Sequence, residues 1–396
     1  MSNTISFDYK DYDKSKKIII FGASSYGEII YWLLKSVGIN ISFFCDRDVN
    51  KKEIFGCPII SSSKLAEYSN DYIIIASADC YNEMYVELKK QDCNFICDAL
   101  KIFEIIPKDF NGWSAVSVDI YDHRQNYIYM AKASADSVIF PRIQYVVSER
   151  CSLKCKDCIH LMQYYEKPLN VDLEKYKESF EKLLRVSDSI TELRILGGEP
   201  FMNKEMYKII DWFHDSDKIK DISIYTNGTI VPSEDIFQRL KMSKVRVRIS
   251  DYVFNREKID RFVEELEKRD IGYFISQYDD WQDAGNIDFR GDTVDILKKR
   301  FSQCIERNCI TFYKGELHRC PRSVHAMNLC AMPRIERDYI NLEEWTGTDS
   351  ELKTTIREFL KMDYIEACNY CDGPNRFMQS IPAAIQTPKP LSYKKI

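Results

Sequence analysis

No run of apolar residues in this 396-residue chain approaches the ~18 that a membrane-crossing helix needs, so a spanning segment is not expected. Long basic blocks are missing too. With 56 Lys and Arg against 61 Asp and Glu, the net charge is −5, which argues against a nucleic-acid partner. The opening MSNTISFDYKDYDK is polar and acidic and has no apolar core of a secretory leader. Internal repeats and low-complexity tracts are absent. Cysteine, by contrast, is plentiful. Fourteen cysteines in a chain with no export signal point to a reducing cytoplasm and metal binding rather than to disulfides. At this length, 45% hydrophobic residues supply cores for two or three domains.

The densest pattern is Cys151-Ser152-Leu153-Lys154-Cys155-Lys156-Asp157-Cys158, a C-x3-C-x2-C spacing after a strand-like apolar run over 143–147. Clustered soft thiolates select a soft metal centre. Three thiolates around an iron–sulfur cube leave one iron open to a small molecule. The alternative is zinc; no fourth cysteine follows nearby, and His160 gives a Cys-x-His spacing unsuited to one tetrahedron. After a second strand-like run over 192–196 comes Gly197-Gly198-Glu199-Pro200. Its glycines let the backbone approach a ligand closely, and Glu199 offers a carboxylate to a cationic amine.

The cysteine triad and the Gly-Gly-Glu-Pro run, in this order, resemble the signature of the radical S-adenosylmethionine (radical SAM) enzymes. The resemblance implies that Cys151, Cys155 and Cys158 hold a [4Fe–4S] cluster whose open iron chelates SAM. It also implies that Gly197, Gly198, Glu199 and Pro200 bind the SAM amino group. Reductive cleavage of SAM then releases a 5′-deoxyadenosyl radical. One position departs from the family: Asp157 stands where an aromatic residue usually lies near adenine.

The organisation reads as α/β throughout. Residues 1–100 form a Rossmann-like parallel sheet, with strands at 17–21, 41–45, 72–76 and 95–97 and helices at 28–36 and 81–90. Gly22 and Gly27 bracket the first strand-to-helix turn, where such folds place phosphate, and Asp46 takes the ribose position. Full dinucleotide spacing is lacking, so NAD is not expected. Phe21 to Gly27, Phe43 to Asp46, Gly56 to Ile59 and Ile73 to Ala76 resemble the nucleotide-binding front domain of sugar acyltransferases; a scaffold that only packs or dimerises is the alternative. Residues 101–140 are a connector with a helix over 126–134.

Residues 141–300 alternate strand and helix as in a partial (β/α)6 TIM-type barrel, with active-site groups at strand C-terminal ends. There lie Thr226 and Asn227 after the third strand, Ser250 and Asp251 after the fourth, and Gln277 after the fifth. In radical SAM relatives such positions contact SAM ribose and carboxylate. Residues 301–386 form a small cysteine-rich α+β extension resembling the twitch and SPASM extensions of radical SAM enzymes. That resemblance implies an auxiliary [4Fe–4S] cluster held by Cys304, Cys320, Cys368 and Cys371. Cys309 and Cys330 are left over; Cys330 is a candidate catalytic hydrogen donor, and a zinc knuckle is the other metal reading. His318 and His325 are candidate acid–base groups. Residues 387–396 are expected to be a disordered tail.

Arg246 and Arg248, alternating on one strand, and Arg319 and Arg322, flanking Cys320, suit a phosphate or carboxylate. The expected substrate is a nucleotide-linked or phosphorylated sugar undergoing oxidation, dehydration or epimerisation. A peptide is the second substrate reading, and a non-catalytic zinc protein the third. Reduced flavodoxin or ferredoxin is the electron donor that the family resemblance implies.

Overall fold

The computed structural model describes residues 4–48, 51–78, 80–106, 124, 127–128, 130–131, 137–375, 378–388 and 390–396. The chain divides into two compact units, Met1–Ile139 and Phe140–Ile396. Most of the helix expected over 126–134 lies outside the described residues. Among those residues, no helix is long and apolar enough to cross a membrane.

The first unit contains β1 (Ile5–Ser6), β2 (Ile18–Phe21), α1 (Ser25–Ser36), β3 (Phe43–Asp46), β4 (Glu53–Ile54), β5 (Cys57–Ser61), β6 (Tyr72–Ile75), α2 (Tyr81–Lys90) and β7 (Phe95–Asp98). The sheet order is β1-β7-β6-β2-β3-β5-β4, parallel except for the β4–β5 pair. Every residue of β2 is buried, as a central parallel strand covered on both faces requires. Ile29, Ile30, Leu33 and Leu34 recur at helical spacing and bury one stripe of α1. Tyr127 fills the interior; its hydroxyl donates to the Ile75 carbonyl at 2.5 Å and accepts from the Ala99 amide at 2.9 Å.

The second unit begins β8 (Ile139–Val146), α3 (Leu173–Val186), β9 (Ser189–Leu196), α4 (Tyr207–Phe213), β10 (Ile219–Thr226), α5 (Glu234–Leu240), β11 (Val245–Asp251), α6 (Arg256–Glu267) and β12 (Tyr273–Gln277). It continues with β13 (Asp280–Gln282), α7 (Val294–Gln303), β14 (Ile310–Tyr313), β15 (Glu316–His318), α8 (Pro321–Asn328), β16 (Tyr339–Asn341), α9 (Asp349–Leu360) and β17 (Ser380–Pro382). One eight-stranded sheet runs β12-β11-β10-β9-β8-β14-β15-β16. Alternation is strict across β9 to β11. Leu193, Ile195, Ile222, Ile224, Val245, Val247 and Ile249 are buried on the helix-covered face. Glu192, Arg194, Ser223, Tyr225, Arg246 and Arg248 share the other face.

Two expectations need correction. The sixth parallel strand does not follow β12. After β12 the chain leaves the sheet, pairs β13 with β17, and returns through α7 to place β14 parallel beside β8. The cysteine-rich extension is therefore continuous with the barrel sheet. The tail expected to be disordered is hydrogen-bonded along its length: Thr387 N–H to the Lys154 carbonyl at 2.8 Å, Leu391 N–H to the Gln163 carbonyl at 2.8 Å, and Ile396 N–H to the Cys330 carbonyl at 2.9 Å. Its polar, proline-containing composition hides main-chain pairing, which needs no particular side chains.

Candidate cluster and cofactor site

The loop after β8 is fixed before it reaches the cysteines. Glu149 is 4% exposed, accepts from the Leu169 amide at 2.9 Å, Lys314 at 2.9 Å and Asn328 at 3.2 Å, and also accepts from the Tyr313 hydroxyl. Burial works to raise its pKa; those hydrogen bonds outweigh it and hold the carboxyl below its usual range. Beyond it, Cys151, Cys155 and Cys158 pack with Leu153, Ala384, Tyr252 and Trp281 in one small cluster. The Cys151 sulfur accepts from the Leu153 amide at 3.4 Å and from the Asn227 amide group at 3.7 Å. The Cys155 sulfur accepts from Gln386 at 3.2 Å. Burial raises all three thiols, Cys151 well above its ordinary value and Cys155 to about 12.

This donor set fits a [4Fe–4S] cube. Cys151, Cys155 and Cys158 would each hold one iron and leave the fourth open to a small molecule. Among the described residues, no three His, Cys, Asp or Glu side chains converge on a single-ion position. The glycine run adjoins the triad directly. Gly198 N–H donates to the Ser148 carbonyl and Glu199 N–H to the Arg150 carbonyl, both at 2.8 Å, so β9 continues its pairing into the cysteine loop. A Cβ on Gly198 would run into the Arg150 carbonyl and stand 2.8 Å from Cys151 Cβ. Only glycine allows this approach.

Glu199 differs from its expected role. It is fully buried, and both carboxylate oxygens are engaged within the chain, by the Thr226 hydroxyl at 2.8 Å, the Asn227 amide at 2.9 Å and the Phe201 amide at 3.2 Å. Burial pushes it up to about 7 despite these bonds. Glu199 thus ties the end of β9 to the end of β10 and aims Asn227, whose side chain reaches Ser152 at 3.1 Å as well as Cys151. Pro200 opens the short turn Pro200–Met202 and is buried. Asp251 is also committed, to the Val253 amide at 2.8 Å and to Arg256 at 2.5 Å. Ser250 lies beside Tyr252, on the same strand end. Gln277 bonds Asp279 at 3.0 Å. The aromatic rings at the cysteine loop come from Tyr252 and Trp281, 5.5 Å apart, while Asp157 is half-buried.

Cys304, Cys320, Cys368 and Cys371 line a single cavity in the extension, with Phe301, Ala326, Met332 and Ile365 as apolar wall. Burial raises Cys304 and Cys368, and Cys320 to about 12. Cys320 caps α8, so the first helical amides point toward its sulfur. Arg322 lines the same cavity, is 5% exposed, and donates to the Gly285 and Asn286 carbonyls. Its charge also reaches Cys158. Cys309 lies elsewhere, buried near Arg142 and Arg194. Cys330 is exposed in a left-handed turn after α8, at φ 54°. A hydrogen-donor thiol must face an enclosed radical, and this one faces solvent. His325 bonds Tyr165 at 2.8 Å and His318 bonds Glu316 at 3.0 Å; both are fully buried.

In the first unit, Gly22 and Gly27 serve packing. Gly22 has φ 120°, and a Cβ there would stand 2.6 Å from the Ala76 carbonyl oxygen. A Cβ on Gly27 would run into the Gly22 carbonyl. Asp46 is engaged within the chain: it accepts from the Ala23 amide at 3.0 Å, the Asp48 amide at 2.9 Å and Lys51 at 2.9 Å. Burial would raise its carboxyl, but these bonds hold it below the usual value. A carboxyl with a lowered folded-state pKa contributes stability that is full above the unfolded value, near 3.8, and lost as the pH falls through the folded one. Asp46→Asn is therefore expected to speed amide exchange at Ala23 and Asp48 at neutral pH, at a cost of about 1–3 kcal/mol. The difference from the unaltered chain should shrink in acid.

Comparison with known proteins agrees with this geometry. The family described as C2185-like, N-terminal, matches residues 14–97, and the Radical SAM superfamily matches residues 145–280. A GTP 3′,8-cyclase of Clostridium acetobutylicum is 39% identical over 88 residues, which is 22% of this chain and only 27% of that relative. A GTP 3′,8-cyclase of Clostridium botulinum (strain Okra / Type B1) is 31% identical over 251 residues, 58% of this chain and 75% of the relative. Among solved structures, anSMEcpe with bound AdoMet and Cp18Cys peptide matches at TM-score 0.38 and 15% identity, covering 60% of this chain and 89% of that one. BtrN in complex with AdoMet and 2-DOIA matches at TM-score 0.36 and 16% identity, covering 59% and 94%. On the sequence matches, and with its cysteine loop and glycine run meeting at the strand ends, the chain belongs to the radical SAM superfamily.

Proposed function

We propose that this enzyme abstracts hydrogen from a phosphorylated or nucleotide-linked small molecule and oxidises the resulting radical, with Cys151, Cys155 and Cys158 holding the cluster that binds SAM. Bound there, cluster and SAM supply a 5′-deoxyadenosyl radical. The observation that carries the reading is the convergence of the three thiols, the side-chain-free Gly197–Gly198 edge and the Asn227 amide at the C-terminal ends of β8, β9 and β10. The two glycines let β9 close directly against the cysteine loop, and Asn227, Ser152 and Thr229 form a polar rim beside Cys151. Glu199 positions that rim.

The four cysteines of the extension support a second, fully ligated cluster, which would take the electron that net oxidation releases. Arg322, buried in the same cavity, supports it by offsetting the negative charge of a four-thiolate cube. An anionic substrate is supported by the sheet face turned away from the helices. There Arg194 stacks on Tyr225 at 4.7 Å and pairs with Glu192 at 2.6 Å, while Arg246, paired with Asp221 at 3.7 Å, and Arg248 lie on the next strand but one. It is supported as well by the relatives named for GTP. The first unit is assigned no nucleotide, because Asp46 is committed within it.

The test is isotopic. Chain reconstituted without oxygen and supplied with a reductant should form 5′-deoxyadenosine faster with the right nucleotide sugar or sugar phosphate. Deuterium at the abstracted position should then appear in the deoxyadenosine. If only peptides promote cleavage and carry the label across, the substrate class is wrong while the radical chemistry stands.

A further inference from the structure

The segment that bonds to Cys155 comes from the far end of the chain. Residues 380–387 leave β17 and run antiparallel to the cysteine loop. Lys156 N–H donates to the Ile385 carbonyl at 2.6 Å, Thr387 N–H to the Lys154 carbonyl at 2.8 Å, and Cys155 and Gln386 form a β-bridge. Ala384, 2% exposed, packs against Leu153 and Cys155. Gln386 itself is held at both ends of its amide. Its Oε1 accepts from Lys154 N–H at 2.8 Å, and its Nε2 donates to the Ala384 carbonyl at 2.7 Å and to the Cys155 sulfur at 3.2 Å. The orientation is fixed by chemistry: a backbone donor faces one end and a backbone acceptor the other, so the nitrogen must be the atom toward sulfur.

The geometry points to Gln386 as a positioning residue that sets the reduction potential of the SAM-binding cluster by donating an N–H···S bond to its ligand Cys155. This rests on Cys155 being a cluster ligand. The reduced cluster carries one more negative charge than the oxidised one. A donor on a ligand sulfur therefore stabilises the reduced form more and raises the potential. The cluster must be reduced before SAM can be cleaved, so the tail amide bears on how readily the donor protein delivers that electron.

The experiment is a redox titration of the full chain, read on the EPR signal that changes when SAM is added. Gln386→Leu removes the donor. Thr387→Val removes only the Oγ1 bond to the Lys154 carbonyl, 3.2 Å away, and leaves Gln386 in place. Gln386→Leu should favour the oxidised form up to tenfold, a fall of about 59 mV for a one-electron couple, and Thr387→Val should not. An unchanged potential in Gln386→Leu overturns the proposal, as does an equal fall in both variants, which would mean that the strap acts by packing alone. If Gln386→Leu loses its iron, Gln386→Met decides: it is uncharged, of similar length, and has no N–H to donate. A lowered potential there supports the proposal; a wild-type potential, or loss of iron in both variants, overturns it. Should Cys155→Ala retain the SAM-responsive signal, the ligand assignment is what fails.

Discussion

Changing Cys151, Cys155 and Cys158 together to alanine is expected to abolish 5′-deoxyadenosine formation and to remove about half of roughly eight irons bound by the reconstituted chain. The loss should be complete rather than partial, because all three proposed thiolate ligands of the SAM-binding cluster are removed at once. The fold should survive. The loop is anchored upstream by Glu149 and its bonds to Leu169, Lys314 and Asn328, none of which involves a cysteine side chain. Circular dichroism and the remaining iron give the control. A variant that still makes deoxyadenosine, or an unaltered chain that takes up stoichiometric zinc without iron–sulfur absorbance, would remove the basis of the proposed function.

The second large effect belongs to the extension. Cys368→Ala with Cys371→Ala should also lower bound iron by about half, yet leave SAM cleavage intact. The two sites differ in what they lose. The first has three thiols beside a polar rim of Asn227, Ser152 and Thr229. The second has four cysteines facing one cavity, closed by Phe301, Met332 and Ile365. Hydrogen abstraction removes one electron, and net oxidation must place another. On the proposed reading this variant makes deoxyadenosine and little oxidised product. Full iron retention would show that other residues hold the second cluster; Cys309 is buried elsewhere and Cys330 faces solvent, so neither is a ready substitute.

The local signals in the sequence were faithful where the chemistry is local. Leu173–Val186 and Glu234–Leu240 form helices within the strand–helix alternation read over 141–300, because their apolar spacing matches one buried stripe. The triad and glycine run meet because both follow strands whose burial is written in their apolar residues. The four cysteines picked for the extension are the four that share a cavity. What could not be read was committed by long-range pairing. Glu199 and Asp46 have the residue type of ligand contacts, but their oxygens are taken by backbone amides and by Thr226 or Lys51, contacts set by tertiary closure. The sixth parallel strand had no position in the sequence reading, because β14 finds its partner in β8, far back in the chain. Gln386 carries no signal at all in a polar, proline-containing tail.

The bond between Gln386 and Cys155 joins residues 231 positions apart in the chain. Contacts so distant close late in folding, since loop-closure entropy must be met before they form. They also open early: the strap from 383 to 388 rests on a few main-chain bonds and one buried alanine, whereas β8 to β12 share an extended core. The cysteine loop is therefore reachable from outside in a chain whose sheet is already built. Local opening of this segment is expected to show as faster amide exchange at Lys156 and Thr387 than along β8 to β12.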